Sequence, residues 1–503
     1  MSAGAHVSGE EAVAFDSGPG RWVLAIAVLG SGIAFLDGTV VNVALPDIGR
    51  DLHASTSELQ WVLNGYLLTL ASLILLGGSL GDRIGRRRIF VIGTAWFTVA
   101  SLLCAAAPSA GALIGARLLQ GVGGALLTPG SLAMIEGSFA RADRARAIGA
   151  WSGLTGVGAA LGPLLGGYLV DAISWRAVFL INLPLGLFVV LAAPRRVPET
   201  RDPSATGRLD VLGAALAALG LAGTTYALIE APGGGQQAAV VVTAVGGVAA
   251  LVAFLLVERR VEHPMLPLSL FADRQFSAAN LVTVVVYAAL GGVFFLLVAF
   301  LQISMGWTPL ASGAASLPVT ALMLALSARS GALAQRIGPR VPLTLGPLVI
   351  AAGMLLMTRI QPGDSYVGAV LPAVVVFGLG LTLVVAPVTA TVLAAADARH
   401  AGIASGVNNA VSRVAGLFAV AVLPLVAGLT GTAFYDPAKM TDGFHTAMTV
   451  TAALAALGGL IAWFTIDPRV LAPDDEPPRE FECAVAGAPL RPDREPDVPS
   501  GTV

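Results

Sequence analysis

Fourteen apolar runs, most of them close to the twenty residues that cross a hydrocarbon core, divide this chain from end to end. They fall near 22–45, 59–80, 89–107, 112–135, 147–170, 177–193, 211–229, 238–257, 278–302, 311–330, 341–358, 367–394, 402–429 and 444–466. A backbone in lipid has to satisfy its own hydrogen bonds, so runs of this length become helices. The chain is 56% hydrophobic and 12% charged, against roughly 25% charged in soluble proteins, which excludes the soluble multidomain reading that 503 residues would otherwise invite. Its 60 glycines suit helices that approach closely. The expected fold class is an all-α polytopic membrane protein. The first run is not a signal peptide: residues 1–20 contain Glu10, Glu11 and Asp16 but no Lys or Arg, and the run is too long for an h-region.

The basic residues set the orientation. Loops after even-numbered runs hold seventeen arginines, from Arg83 to Arg399, whereas those after odd-numbered runs hold only Arg50, Arg176, Arg359 and Lys439. By the positive-inside rule the even-run loops, and with them both termini, are expected in the cytoplasm. Lys439 is the single lysine and lies far from any glycine-rich loop, which excludes a P-loop ATPase. Cys104 and Cys483 make no disulfide framework, and a net charge of −2 gives no argument for nucleic acid.

The stretch Gly78 to Arg87 recurs weakly as Gly331 to Arg340, each copy just after an even run and eight runs apart. Transporters build sites between such repeats. The offset predicts 6+2+6 helices. Residues 1–20 are then a cytoplasmic segment, 21–195 a six-helix bundle and 196–274 two added helices with loops. Residues 275–467 make a second six-helix bundle, and 468–503, rich in Pro, Asp, Glu and Arg, a disordered cytoplasmic tail.

Ionisable groups inside spans are costly and are functional candidates. Asp37 in run 1 and Arg117 in run 4 fall at similar depth, on the order of 10 Å below the surface at 1.5 Å per residue. Removal from water favours a protonated carboxyl and a nearby cation opposes this, so such a pair can load and release a proton; a purely structural ion pair is the alternative. The five histidines lie in loops or near run ends and do not compete for this role. Arg413, about eleven residues into run 13, either binds an anionic group or holds the C-terminal bundle together. Gly158, Gly162 and Gly166, four apart with Pro163 and Gly167, form a groove for a second helix: a hinge or seal between halves, or generic packing. Gly78, Asp82, Arg83, Gly85, Arg86 and Arg87 make a tight basic turn with one acid, suited to charge contacts present in one conformation only. Gly77 to Gly81 matches G-x-S-x-G but ends a span, not a strand–turn–helix elbow. No metal or dinucleotide motif occurs, and no enzyme is expected.

In combination these residues resemble the major facilitator superfamily, and within it the fourteen-span drug:proton antiporters of EmrB/QacA type, over roughly residues 25–465. Leu36 to Pro46 resembles motif D1, Gly78 to Arg88 motif A, Arg117 to Gly124 motif B, and Gly158 to Gly167 the antiporter motif C; Trp175 to Gly186 matches the group's sixth-span start. The resemblance implies a major facilitator fold and export of an amphipathic drug or antibiotic across the cytoplasmic membrane, driven by protons and without a cofactor. It implies Asp37 and Arg117 in proton coupling, the 78–88 loop as a gate and 158–167 as the antiporter helix. Relatives from high-GC bacteria often confer self-resistance on producers, and a puromycin-type cargo is one candidate. A monomer in the bilayer is expected. Gln335 replaces the acid in the second motif A, and runs 8 to 12 show no well-buried acid, which disfavours dications. A metabolite uptake carrier and a non-transporting receptor or scaffold are the rival readings.

Overall fold

A computed structural model describes residues 13–201, 209–231, 237–262, 264–396 and 401–472. The expectations for residues 1–12 and for the tail beyond 472 lie outside them. Fourteen helices long and apolar enough to span a membrane follow one another. They are α1 (Gly18–Leu52), α2 (Thr56–Ile84), α3 (Arg86–Ala105), α4 (Ala110–Ser138), α5 (Arg146–Ala172), α6 (Ala177–Arg196) and α7 (Val211–Glu230). The rest are α8 (Gln237–Glu258), α9 (Arg274–Ile303), α10 (Pro309–Ile337), α11 (Arg340–Met357), α12 (Tyr366–Ala394), α13 (Ile403–Val426) and α14 (Pro437–Thr465).

Several helices outrun the apolar runs that announce them, because capping chemistry rather than hydropathy sets their ends. α1 starts on Ser17, whose side chain accepts from the Gly20 amide, and stops at His53 in a left-handed conformation. α2 starts with a reciprocal capping box: Ser55 Oγ accepts from the Glu58 amide at 3.3 Å and Glu58 accepts from the Ser55 amide at 2.8 Å. Between α2 and α3 the chain turns at Gly85 with φ +129°, a conformation that a residue with a Cβ rarely adopts. α6 is interrupted at Ile181 and α10 at Ala315–Ser316.

One reading is corrected here. Runs 8 to 12 were expected to lack a buried acid, but α8 ends on Glu258, one residue past its apolar run, and that side chain is buried. Its Oε2 accepts from the Leu266 amide at 3.0 Å, so the loop behind α8 folds back over it.

The helices pack as neighbours in two groups. α1 lies against α5, α2 against α4, and α3 against α4 and α6. α9 lies against α13 and α14, α10 against α12, and α11 against α12 and α14. α7 and α8 form a hairpin; α7 touches both α2 and α13, while α8 is almost wholly exposed, as a lipid-facing helix would be.

The two groups are fastened together where odd-numbered helices pass to even-numbered ones. Pro424 has no N–H, so it frees the Val420 carbonyl four residues earlier in α13; Gln60 Nε2 of α2 donates to it at 2.7 Å and to Ala421 O at 3.1 Å. Gln302 donates to Val43 O at 2.9 Å, Thr56 to Gly431 O at 2.8 Å, and Tyr435 to Ala54 O at 2.6 Å. The Leu310 amide donates to Asp171 Oδ2 at 3.0 Å. Toward the opposite face the contact is apolar: Leu75 meets Gly406 between α2 and α13, and Leu154 of α5 and Ile403 of α13 are exposed.

Candidate functional site

Asp37 and Arg117 meet in the interior of the first six helices. Their side chains are 0% and 1% exposed, and Arg117 Nη1 donates to Asp37 Oδ2 at 2.5 Å. Arg117 and Gln120, three apart on α4, share one helix face. Gln120 Oε1 accepts from Arg117 Nη1 at 2.6 Å, and Gln120 Nε2 donates to Asp37 Oδ1 at 2.9 Å. Asn182, just past the break in α6, donates to the same Oδ1 at 3.2 Å and to Ser101 Oγ at 3.0 Å. Ser101 of α3 donates to Phe179 O at 2.9 Å, which satisfies a carbonyl beside the break. Arg117 Nε holds Val62 O of α2 at 3.0 Å, and the guanidinium carbon lies 4.5 Å from the centroid of the Tyr66 ring.

Helices α1, α4 and α6 thus meet at one carboxylate that accepts three hydrogen bonds, and α2 and α3 join the network through Val62, Tyr66 and Ser101. A buried charge of this kind is held only by partners this complete. Val62, whose carbonyl Arg117 holds, lies two residues from Gln60 and its contacts with α13.

The glycines of α5 receive α1. A Cβ on Gly158 would have Gly32 Cα as its nearest neighbour at 3.9 Å, whereas one on Gly162 would strike Thr39 and one on Gly166 would strike Val40. Gly167 faces the other group: a Cβ there would lie 2.6 Å from Leu310 Cα of α10, and Gly313 of α10 lies against the Pro163 carbonyl. The stretch therefore serves both packing within the first six helices and the seam with α10.

The basic turn docks onto the segment after α6. Asp82 pairs with Arg86 at 2.9 Å, and Arg86 donates to Ala133 O at 3.0 Å. Arg87 lies 3.5 Å from Glu199, donates from its backbone to Glu199 Oε1 at 3.0 Å, and reaches Val197 O at 2.8 Å. Gly85 leaves room for the Glu199 carboxylate, Gly78 packs on Pro129, and Arg83 is also engaged. In the second copy Gly338 faces Pro468, just after α14, and Arg340 donates to Ile466 O at 2.6 Å.

Arg413 is placed apart from Asp37, half-buried, with its guanidinium carbon 5.7 Å from the centroid of the Phe35 ring of α1. Gln120, Asn182, Ser101, Tyr66 and Glu199 carried no assigned role in the sequence reading. The Arg117-x-x-Gln120 spacing was the one usable signal among them. Among the described residues no cluster of three or more His, Cys, Asp or Glu could hold a metal ion.

The chain matches the Major Facilitator Superfamily over residues 27–420. It is 38% identical to the puromycin resistance protein of Streptomyces alboniger over 93% of this chain and 95% of that one. It is 33% identical to the tetracenomycin C resistance and export protein of Streptomyces glaucescens over the same shares. Identity to the multidrug resistance protein Stp of Mycobacterium tuberculosis is 36%, over 81% of this chain and 76% of the relative. Among solved structures, a D-xylose–proton symporter shares the fold at a TM-score of 0.65 and 14% identity, over 89% of this chain and 98% of that one. The chain belongs to the Major Facilitator Superfamily.

Proposed function

We propose that this protein is a proton-coupled antiporter that exports an amphipathic drug or antibiotic across the cytoplasmic membrane and so confers resistance. The cargo class rests on the relatives named for resistance to puromycin, tetracenomycin C and multiple drugs. Proton coupling rests on one observation: a fully buried carboxylate whose ion pair and hydrogen bonds join α1, α4 and α6. A puromycin-type compound is one candidate cargo. No cofactor takes part, and the chain works as a monomer in the bilayer and not as an enzyme.

In this reading the arginine-rich loops and both termini are cytoplasmic. Residues 21–195 and 275–467 are the moving bundles, 196–274 carries the added hairpin, and 1–20 and 468–503 are cytoplasmic extensions. The fastened face is then the outer one, and the protein stands ready to take cargo from inside. A proton arriving at Asp37 from outside neutralises it, releases Arg117 and lets α2 shift. Gln60 then leaves the α13 carbonyls, and the α5–α10 seam at Gly167 parts. Cargo leaves, the proton passes inward, and the ion pair re-forms. The basic turn is anchored on Glu199 in this inward-ready state.

The energy suffices. A potential of 100 mV supplies about 2.3 kcal/mol per charge and one pH unit about 1.4 kcal/mol per proton, together sustaining a gradient of a few hundredfold for one proton per neutral cargo. The test is accumulation of several antibiotics and a fluorescent dye in a sensitive host carrying wild type or Asp37→Asn, with and without a protonophore. Low accumulation in wild type, lost with either the protonophore or the substitution, supports the proposal. Normal export by Asp37→Asn removes the coupling assignment, and export insensitive to the protonophore removes proton drive.

A further inference from the structure

Arg413 is a cation in a membrane helix without an anion. Among the described residues it makes no ion pair and no hydrogen bond; its guanidinium lies over the Phe35 ring across the seam, with Tyr66 and Tyr287 in electrostatic range. Arg117, the other arginine this deep, has a carboxylate, an amide oxygen, a carbonyl and a ring around it. The sequence between residues 275 and 465 holds four acids, Asp364, Asp397, Asp436 and Asp442, and no glutamate. Asp364 and Asp436 fall between helices, Asp442 lies within two turns of the start of α14, and Asp397 lies outside the described residues, so no described acid among them stands at the depth of Arg413. Asp37 is already matched by Arg117. Among the described residues Arg413 is therefore a half-buried cation within a membrane span with no anion beside it, which invites a counterion.

A second observation comes from α2. Asn64 is fully buried, and neither its Oδ1 nor its Nδ2 has a partner. It lies one turn from Gln60, on the side of α2 that meets α13. An amide left unsatisfied in this state has spare donors for an acceptor brought to the same seam.

We propose that Arg413 is the counterion for a negatively charged group, a carboxylate or a phenolate, on an aromatic cargo that also packs on Phe35. This deepens the export reading and rests on it. A cation would meet net repulsion at the seam, whereas a flat anion finds a guanidinium and a ring face together. One consequence is electrical. Exchange of an outgoing monoanion for an incoming proton moves two charges per cycle, whereas exchange of a monocation for a proton moves none.

The experiment uses the purified full chain in proteoliposomes with a potassium diffusion potential and no pH gradient. Fluorescein, an anion, and rhodamine 123, a cation on the same ring system, are the probes, with puromycin as the check on transport itself. Wild type is expected to move fluorescein faster than rhodamine 123 and to accelerate it with potential. Arg413→Gln is expected to slow fluorescein about tenfold or more, the scale of a lost charged hydrogen bond, and Arg413→Lys to keep most of the rate. Competition on wild type needs no variant: fluorescein should inhibit better than its methyl ether methyl ester, in which both acidic groups are masked. A wild-type preference for rhodamine 123, equal inhibition by acid and ester, or equal slowing of both dyes in Arg413→Gln and Arg413→Lys overturns the proposal. So does puromycin transport without fluorescein transport, a result that leaves the export reading standing. Failure to move puromycin and both dyes counts against the export reading, and the proposal falls with it.

Discussion

Asp37 and Arg117 lie eighty residues apart in sequence and 2.5 Å apart in space, both sealed from solvent. Either charge alone would be costly when buried this fully in the membrane. Their pairing fixes α1 to α4, and the two further donors to Asp37, Gln120 and Asn182, tie α6 to the same point.

Removing one member of this pair should cost more than removing both. Arg117→Gln leaves a buried carboxylate without its cation, a loss of about 3–5 kcal/mol in comparable cases. The double variant Asp37→Asn with Arg117→Gln should recover much of that stability while remaining inactive. Thermal unfolding in detergent, read beside drug accumulation, checks the ordering. A double variant less stable than Arg117→Gln would speak against a charge penalty.

The glycines of α5 should differ sharply in tolerance. Gly158→Ala adds a methyl whose nearest neighbour is 3.9 Å away and should export almost normally. Gly162→Ala drives the same methyl into Thr39, and Gly167→Ala into the Leu310 backbone. Both should lose most export at normal expression. Gly167→Ala should also weaken a disulfide engineered between positions 171 and 310, which measures closure of the seam directly.

Gln60→Leu should loosen the fastened face. It leaves the carbonyl freed by Pro424 without its donor in a buried seam, at a cost of about 1–3 kcal/mol. A cysteine placed at position 56 should then react faster with a membrane-impermeant maleimide added from outside than in the otherwise wild-type protein. An unchanged rate would show that Gln60 does not hold the gate.

Glu199→Gln should weaken the dock of the basic turn. The Arg87–Glu199 pair is partly exposed, so its charge contribution is small, about 0.2–1 kcal/mol, and most of the backbone contacts survive. A several-fold fall in export rate with little change in thermal stability is the expected outcome, whereas Glu199→Ala should do more because it also removes the acceptor for the Arg87 amide.

Much of this architecture was legible in the chain itself. Apolar runs located all fourteen helices, since lipid leaves no other structure for them. The pairing of Asp37 with Arg117 could be expected from equal depth. Helix ends were less readable, because Ser17, Ser55 and His53 set them by local hydrogen bonds that hydropathy ignores. Glu258 escaped notice because its burial comes from a loop folding over it. Asn182 could not be placed without the break at Ile181, and Gln60 needed the tertiary meeting of α2 with the Pro424 kink. What the sequence did not carry was local capping at the helix ends and, at the site and the seam, contacts between segments distant along the chain.

The central claim is that the proton exchanged for cargo resides on Asp37, and it is tested most directly by proton movement during export. Puromycin, or whichever antibiotic the accumulation assay identifies, is loaded into proteoliposomes of the purified protein at low external buffer strength, and the external pH is followed as cargo leaves. Wild type should take up protons from outside as cargo leaves, and Asp37→Asn should take up none. Equal proton uptake by Asp37→Asn would contradict the account and place the exchanged proton elsewhere.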